Sequence, residues 1–221
     1  MIKYLSHIIM PRIPVYGLGC KRKIDLKPIK SIKKGDSSLT FRFGMENHWG
    51  THVDCPAHIF NNGSKVADYK ADFWIFRKPQ VLSVKLKAGQ ILKASDLNAE
   101  IKRETDLLIL RSGWNKVRGK RIYTLANPGI DPDFAKWLKK QFPLIRAIGF
   151  DWISVSSYKD RQLGRKAHRE FLRSGLKVRP ILLIEDMDLS KELKGLKQVW
   201  VAPFLISGLD SAPCTVMGIF K

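Results

Sequence analysis

Cysteine is scarce in this 221-residue chain: Cys20, Cys55 and Cys214 are the only three. Their number is odd and no Cys-x-x-Cys pair occurs, which argues against a disulfide framework and for a reducing compartment, the cytoplasm. Long apolar runs are also missing. No segment approaches the roughly 18 uncharged apolar residues of a membrane span. The stretch Met1 to His7 has neither a sustained apolar core nor a small-residue cleavage pattern, so no secretory signal is expected. Acidic residues are few: 20 against 40 basic ones, a formal charge of +20. Such a surplus invites a nucleic-acid reading. The basic residues are dispersed, however, in groups from Lys21 to Lys34, Lys116 to Arg121 and Arg161 to Arg179. There is no basic tail, zinc finger or RNA-binding signature, and nucleic acid is not the expected partner.

What remains is ordinary soluble-protein composition, 44% hydrophobic and 27% charged, without repeats or low-complexity linkers. One α/β domain spanning residues 1–221 is expected, a mixed β-sheet core flanked by helices. Prolines 11 and 14 favour an extended opening. Residues 20–36 read as loop with one short strand. Residues 39–45 alternate apolar and polar, a half-buried strand leading into the segment that follows. Tyr69, Phe73, Trp74 and Phe76 read first as a core cluster. Strands are expected over 81–84, 106–111 (buried on both faces), 147–150, 180–184, 199–203 and 214–220. Ser95 is the expected cap of a short helix. Asp131 and Pro132 open a longer one, with Phe134, Leu138 and Phe142 at helical spacing. A further helix is expected over 167–174, ended near Gly175.

Histidine is the informative rarity. The chain has five, and three fall in the eleven residues from His48 to His58. His48, His52 and Asp54 share parity, so an extended backbone turns all three to one side. Imidazole nitrogen and carboxylate oxygen are ligands of zinc, manganese and similar ions. Gly50 gives the backbone freedom between them, and Pro56 stiffens the exit. His58 lies past the proline, as an acid/base or as a further ligand. Cys55 has the opposite parity and reads as a small buried residue.

The segment His48-Trp49-Gly50-Thr51-His52-Val53-Asp54-Cys55-Pro56-Ala57-His58 resembles the His-x-Gly-Thr-His-x-Asp-x-Pro-x-His signature of the cyclase family, which contains bacterial kynurenine formamidases and isatin hydrolases. Likeness extends over most of the chain: Leu5-Ser6-His7 with Pro14-Val15-Tyr16, Leu108 to Trp114, Ile148-Gly149-Phe150-Asp151, His168 with Leu172, Ile184-Glu185, and Leu209-Asp210-Ser211-Ala212-Pro213, where serine replaces a glycine. The resemblance implies a swivelling β/β/α arrangement, dimers or higher oligomers, and a site for one or two divalent ions, zinc or manganese. By position, His48, His52 and Asp54 would hold a first ion. Asp54 would bridge to a second, completed by His168 and Glu185, with His58 as acid/base. The His168–Glu185 separation is longer than the family pattern, with 177–180 as the added stretch, which leaves Glu185 the weakest carry-over.

The resemblance further implies hydrolysis of a small amide or formamide, as in kynurenine formamidases of tryptophan catabolism. Opening of a cyclic amide or lactone, or a ring-forming reaction, would use the same site. A small-molecule substrate is the expected partner, and Trp49, Phe60, Trp74 and Trp114 are candidates for the wall of its pocket. A third reading, from a different class, is a basic nucleic-acid-binding protein with a structural metal.

Overall fold

The computed structural model describes residues 1–176 and 178–221, with the backbone alone at 19–21. Its opening is extended: β1 (Ile2–Tyr4), then β2 (Arg12–Val15) paired with β3 (Gly19–Lys23), then β4 (Asp25–Lys30) paired with β5 (Thr40–Gly44). The basic stretch 20–36 therefore holds nearly all of two strands, more than its composition suggests. The alternation over 39–45 does mark a strand, but not a half-buried one. All of β5 is exposed, because among the described residues it is Phe204 that approaches its apolar face, and Phe204 is itself exposed.

The rest follows as β6 (His52–Asp54), β7 (Ile75–Phe76), β8 (Pro79–Ser83), β9 (Ile91–Leu92), β10 (Leu107–Arg111), α1 (Arg121–Leu125), β11 (Gly129–Ile130), α2 (Pro132–Gln141), β12 (Ala147–Phe150), α3 (Arg161–Leu172), β13 (Leu182–Glu185), β14 (Leu196–Pro203) and β15 (Ser211–Phe220). The main sheet runs β7-β14-β15-β6-β13-β12-β10-β8, with β1 paired to β15. From β13 to β8 neighbours are parallel, and from β7 to β13 antiparallel. The sheet is mixed, as expected, and helices α2 and α3 pack on each other beside it. The parallel half explains the continuous apolar runs. Leu107 to Leu110, Ala147 to Phe150 and Leu182 to Glu185 are buried throughout, because a parallel sheet is covered on both faces. Each such Leu or Ile contributes about 1.5–3 kcal/mol by leaving water.

Local signals held where they were strong. Asp131 caps α2, accepting from the Asp133 amide at 2.8 Å, with Pro132 in the first turn. Ser95 caps nothing. It lies inside a 3-10 turn over Ala94–Asp96, where the Asp96 carboxylate accepts from the Lys93 amide. Helix α3 begins at Arg161, six residues before the expected start, and Asp160 caps it. Its first turns carry exposed Arg161, Gln162, Arg165 and Lys166, so apolar periodicity is silent there. In the added stretch 177–180, Lys177 lies outside the described residues, while Gly175 and Val178 form a bridge. The side chain of Cys20 also lies outside them; Cys55 and Cys214 are free and buried.

Candidate metal centre

Strand β6 lies between β13 and β15, and this position assembles the site. His52 pairs with Glu185 of β13 on one side and Pro213 of β15 on the other; Asp54 pairs with Leu183 and Ser211. His52 and Asp54 share a strand face, while Val53 between them points into the core at 0% exposure. His48 is not on that strand. A turn before Gly50, itself at φ +73°, delivers it. The Gly50 carbonyl accepts from His52 Nδ1 at 2.8 Å, which fixes the tautomer and leaves Nε2 as the free lone pair. His168 arrives from the buried face of α3. Its Nδ1 lies 3.1 Å from the Gly164 carbonyl and 3.2 Å from Ser156 Oγ, so its Nε2 also faces the site.

These nitrogens converge on Asp54. Its Oδ1 is 3.0 Å from His48 Nδ1 and 3.4 Å from His52 Nε2, and its Oδ2 is 3.7 Å from His168 Nε2. Glu185 stands 3.5 Å from His52 and 3.8 Å from His168, with Oε1 anchored by the Val155 amide at 2.7 Å. Both oxygens of Asp54 are buried, and neither receives a well-formed hydrogen bond among the described residues. A buried carboxylate left so costs several kcal/mol unless a cation is supplied.

The titration behaviour states the same excess of negative charge. Burial opposes a charge on His48, but Asp54 and Asp210 outweigh it and push its pKa up to about 10. Burial and the charge of Asp54 drive Glu185 well above the carboxylate range. Burial would raise Asp54 too, yet His48, His52 and His168 hold it well below its usual value. Imidazole nitrogens and carboxylate oxygens gathered 3–4 Å from one another are a donor set that fits a divalent ion. Two ligand groups each lie within 4.8 Å, His52–Asp54–Glu185 and His48–Asp54–His58. Asp54 is common to both. His52 thus groups with Glu185, whereas the sequence resemblance pairs it with His48.

The cavity above these groups measures about 210 Å³ and is lined by Tyr16, His48, His52, Asp54, His58, Ile153, Ser154, Ser156, His168 and Glu185. Among the described residues none of Trp49, Phe60, Trp74 and Trp114 lines it. Trp49 packs with Ile13 and Val15, and Trp74 and Trp114 lie in the main core. Phe60 is partly buried against that core, with Arg169 over its ring at 5.9 Å. Asp210 and Tyr16, like Ile153, Ser154 and Ser156 of the lining, had no assigned role in the sequence reading. Asp210 Oδ2 accepts from His58 Nδ1 at 2.8 Å and lies 3.0 Å from His48 Nε2. Tyr16 enters from the loop after β2. Both stand in quoted motif segments, but only the fold shows that they reach the histidines.

Comparison with known proteins follows the same line. The "Putative cyclase" family model matches residues 4–157. The chain belongs to the cyclase family. It is 30% identical over 171 residues to a kynurenine formamidase of Geobacillus thermodenitrificans, covering 76% of this chain and 74% of that protein. It is 26% identical over 226 residues to cyclase-like protein 2 of Oryza sativa subsp. japonica, covering 95% and 75%. Isatin hydrolase A from Labrenzia aggregata superposes with a TM-score of 0.77 at 18% identity, over 100% of this chain and 94% of that one. That likeness establishes the fold.

Proposed function

We propose that this protein is a metal-dependent hydrolase of small non-peptide amides, with an arylformamide of the N-formylkynurenine type as the first candidate substrate. The observation that carries this reading is Asp54, whose two buried oxygens have no well-formed hydrogen bond and face three imidazoles. Zinc is the first candidate ion and manganese the second, held by His48, His52, Asp54, His168 and Glu185. A divalent ion held there would polarise a carbonyl and lower the pKa of a bound water.

The chain supplies the rest. The His58 Nδ1–H donates to Asp210, which leaves Nε2 as the nitrogen that exchanges a proton with the reactants. His58 takes a proton from the attacking water as the water oxygen bonds to the carbonyl carbon. It then passes the proton to the nitrogen as the C–N bond breaks, leaving an acid and an amine. A cavity of about 210 Å³ falls below the range of about 300–1,000 Å³ for drug-sized ligands, which favours a small, single-ring substrate. Opening of a cyclic amide such as isatin is the second reading. A place in tryptophan catabolism and in the cytoplasm accords with the first. Among the described residues no helix is long and apolar enough to cross a membrane. A homodimer or tetramer is proposed from the exposed apolar residues Phe41, Phe43, Phe204, Leu205 and Ile206.

The test is a substrate panel on zinc- and manganese-loaded protein, beside metal analysis of wild type, His52→Ala and His168→Ala. Turnover of N-formylkynurenine with loss of metal from both variants supports the reading. Turnover of isatin alone moves the assignment to the cyclic amide. A wild type that binds no divalent ion after loading sinks it.

A further inference from the structure

The hydroxyl of Tyr16 is buried inside the cavity wall and has no hydrogen-bond partner among the described residues. A buried hydroxyl left unpaired costs about 1–3 kcal/mol, so its place calls for a ligand atom. The neighbours make clear which kind. His52 Nδ1 is engaged by the Gly50 carbonyl, His168 Nδ1 by Gly164 and Ser156, and His58 Nδ1 by Asp210. His48 Nε2 lies 3.0 Å from Asp210, and the oxygens of Asp54 and Glu185 are acceptors. The hydroxyls of Ser154 and Ser156 are engaged by Glu185 and His168, so the Tyr16 hydroxyl is the neutral donor on this wall that still wants an acceptor.

Tyr16 is also held firmly. Its ring meets Tyr158 edge-on, at 5.3 Å between centroids and 76° between planes. Gly17 follows at φ +75°, and a Cβ there would stand 2.6 Å from the Tyr158 ring. The Gly17 amide donates to the Thr124 carbonyl at 3.0 Å. Only glycine permits this close approach without strain, and the approach fixes the backbone next to Tyr16. Burial, opposed in part by Arg161, pushes the Tyr16 pKa up to about 12, so the phenol keeps its proton through the working range.

Resting on the amidohydrolase reading above, we propose that Tyr16 is a catalytic residue whose phenol donates a hydrogen bond to the substrate carbonyl oxygen and strengthens it as that oxygen becomes an anion. A donor fixed in advance, at a site poor in water, is where such stabilisation is most effective.

The experiment uses Tyr16→Phe, which keeps the ring packing and removes only the hydroxyl. In the metal-loaded enzyme kcat is expected to fall about 10²–10³-fold with KM and metal content little changed, the loss typical of one oxyanion donor. Two readouts are independent of turnover. Calorimetric affinity for phenylphosphonate, a stable tetrahedral anion, is expected to fall at least about tenfold. The Tm of the metal-free protein is expected to rise, because an unpaired buried hydroxyl has been removed. Unchanged kcat and unchanged phosphonate affinity would overturn the proposal, as would a lowered Tm, which marks a hydroxyl already bonded within the fold. If wild type turns over no amide on the panel, the functional reading fails, and the phosphonate and Tm comparisons still decide whether Tyr16 serves a bound anion.

Discussion

Asp210 shows how one carboxylate can set the chemistry of two histidines. Its Oδ2 lies 2.8 Å from His58 Nδ1 and 3.0 Å from His48 Nε2, and Asn47 Nδ2 donates to Oδ1 at 2.7 Å. Burial disfavours its charge, but the hydrogen bonds from His48 and His58 hold it ionised well below the usual carboxylate range. Asp210→Asn keeps the shape but loses the charge, and with Asn47 donating to the amide oxygen it turns an NH₂ group toward His58 in place of the acceptor. We expect kcat to fall about 10²–10⁴-fold, the usual worth of a general acid/base. Metal content should stay at the wild-type level, because the buried ligand atoms around Asp54 are untouched. Steady-state kinetics with elemental analysis will check both; loss of metal in parallel with activity would make Asp210 a ligand instead. His7 belongs elsewhere. Its Nε2 lies 3.9 Å from Asp186, in a cluster with Arg118 and Tyr123.

Helix α3 is the element on which the distant half of the site depends. Gly164, inside that helix, lets it approach the loop after β12: a Cβ there would lie 2.1 Å from Ser156 Oγ and 2.7 Å from Ser156 Cα. Glycine costs about 1 kcal/mol in a helix relative to alanine, so its presence reflects the close approach. In Gly164→Ala the backbone contact cannot be relieved by a side-chain rotation. The helix must shift, and His168, one turn later, shifts with it. We expect a loss of about 1–3 kcal/mol by denaturant unfolding and weaker binding of one metal ion by titration calorimetry. Unaltered stability with unaltered metal stoichiometry would show that the contact relaxes locally.

The C-terminal end of α3 carries a separate, pH-dependent contribution. The Lys139 ammonium of α2 donates to the Glu170 and Arg173 carbonyls, while burial lowers its pKa to about 8. Its unfolded value is about 10.4, so between these two pH values the unfolded chain holds a proton that the folded chain has lost. Stability from this group therefore rises with pH across that window. Wild type should gain on Lys139→Met from pH 8 to 10 in paired urea titrations. Because the group is partly exposed, only the direction is predicted; a difference that shrinks with pH contradicts the assignment.

At the scale of the whole molecule, two surfaces remain outside the site. The β4–β5 hairpin shows Leu26, Ile29, Phe41 and Phe43 to solvent, and Phe43 meets exposed Phe204 at 6.2 Å. This exposed apolar patch is the surface from which association between copies is proposed. Light scattering should report an oligomer for wild type and a smaller species for Phe43→Glu; a monomeric wild type at micromolar concentration removes the proposal. The charge of +20 is the other feature. Arg161, Arg165 and Arg169 lie four residues apart along α3, and Arg161 and Arg165 both bear on Tyr16 at the cavity. We expect kcat/KM for a carboxylate-bearing amide to fall as salt rises from about 0.02 to 0.2 M, since screening shortens the reach of these charges, while a neutral amide responds little.

Short-range order was legible in the chain itself. Parity placed His52 and Asp54 on one face and Cys55 on the other, Asp131 and Pro132 opened a helix, and unbroken apolar runs marked strands covered on both sides. These depend on backbone period and local hydrogen bonding, which sequence carries directly. Other features depend on pairings between segments far apart. Only the sheet order sets Glu185 opposite His52 across the longer spacing, and only β15 beside β6 brings Asp210 to His58. The exposure of β5 was likewise hidden, because alternation reports an apolar face and not what covers it. The family and the kind of chemistry were determined by eleven consecutive residues; the grouping of Glu185 with His52, the acceptor for His58 and the unpaired hydroxyl of Tyr16 were decided by tertiary structure, since long-range register has no local signal.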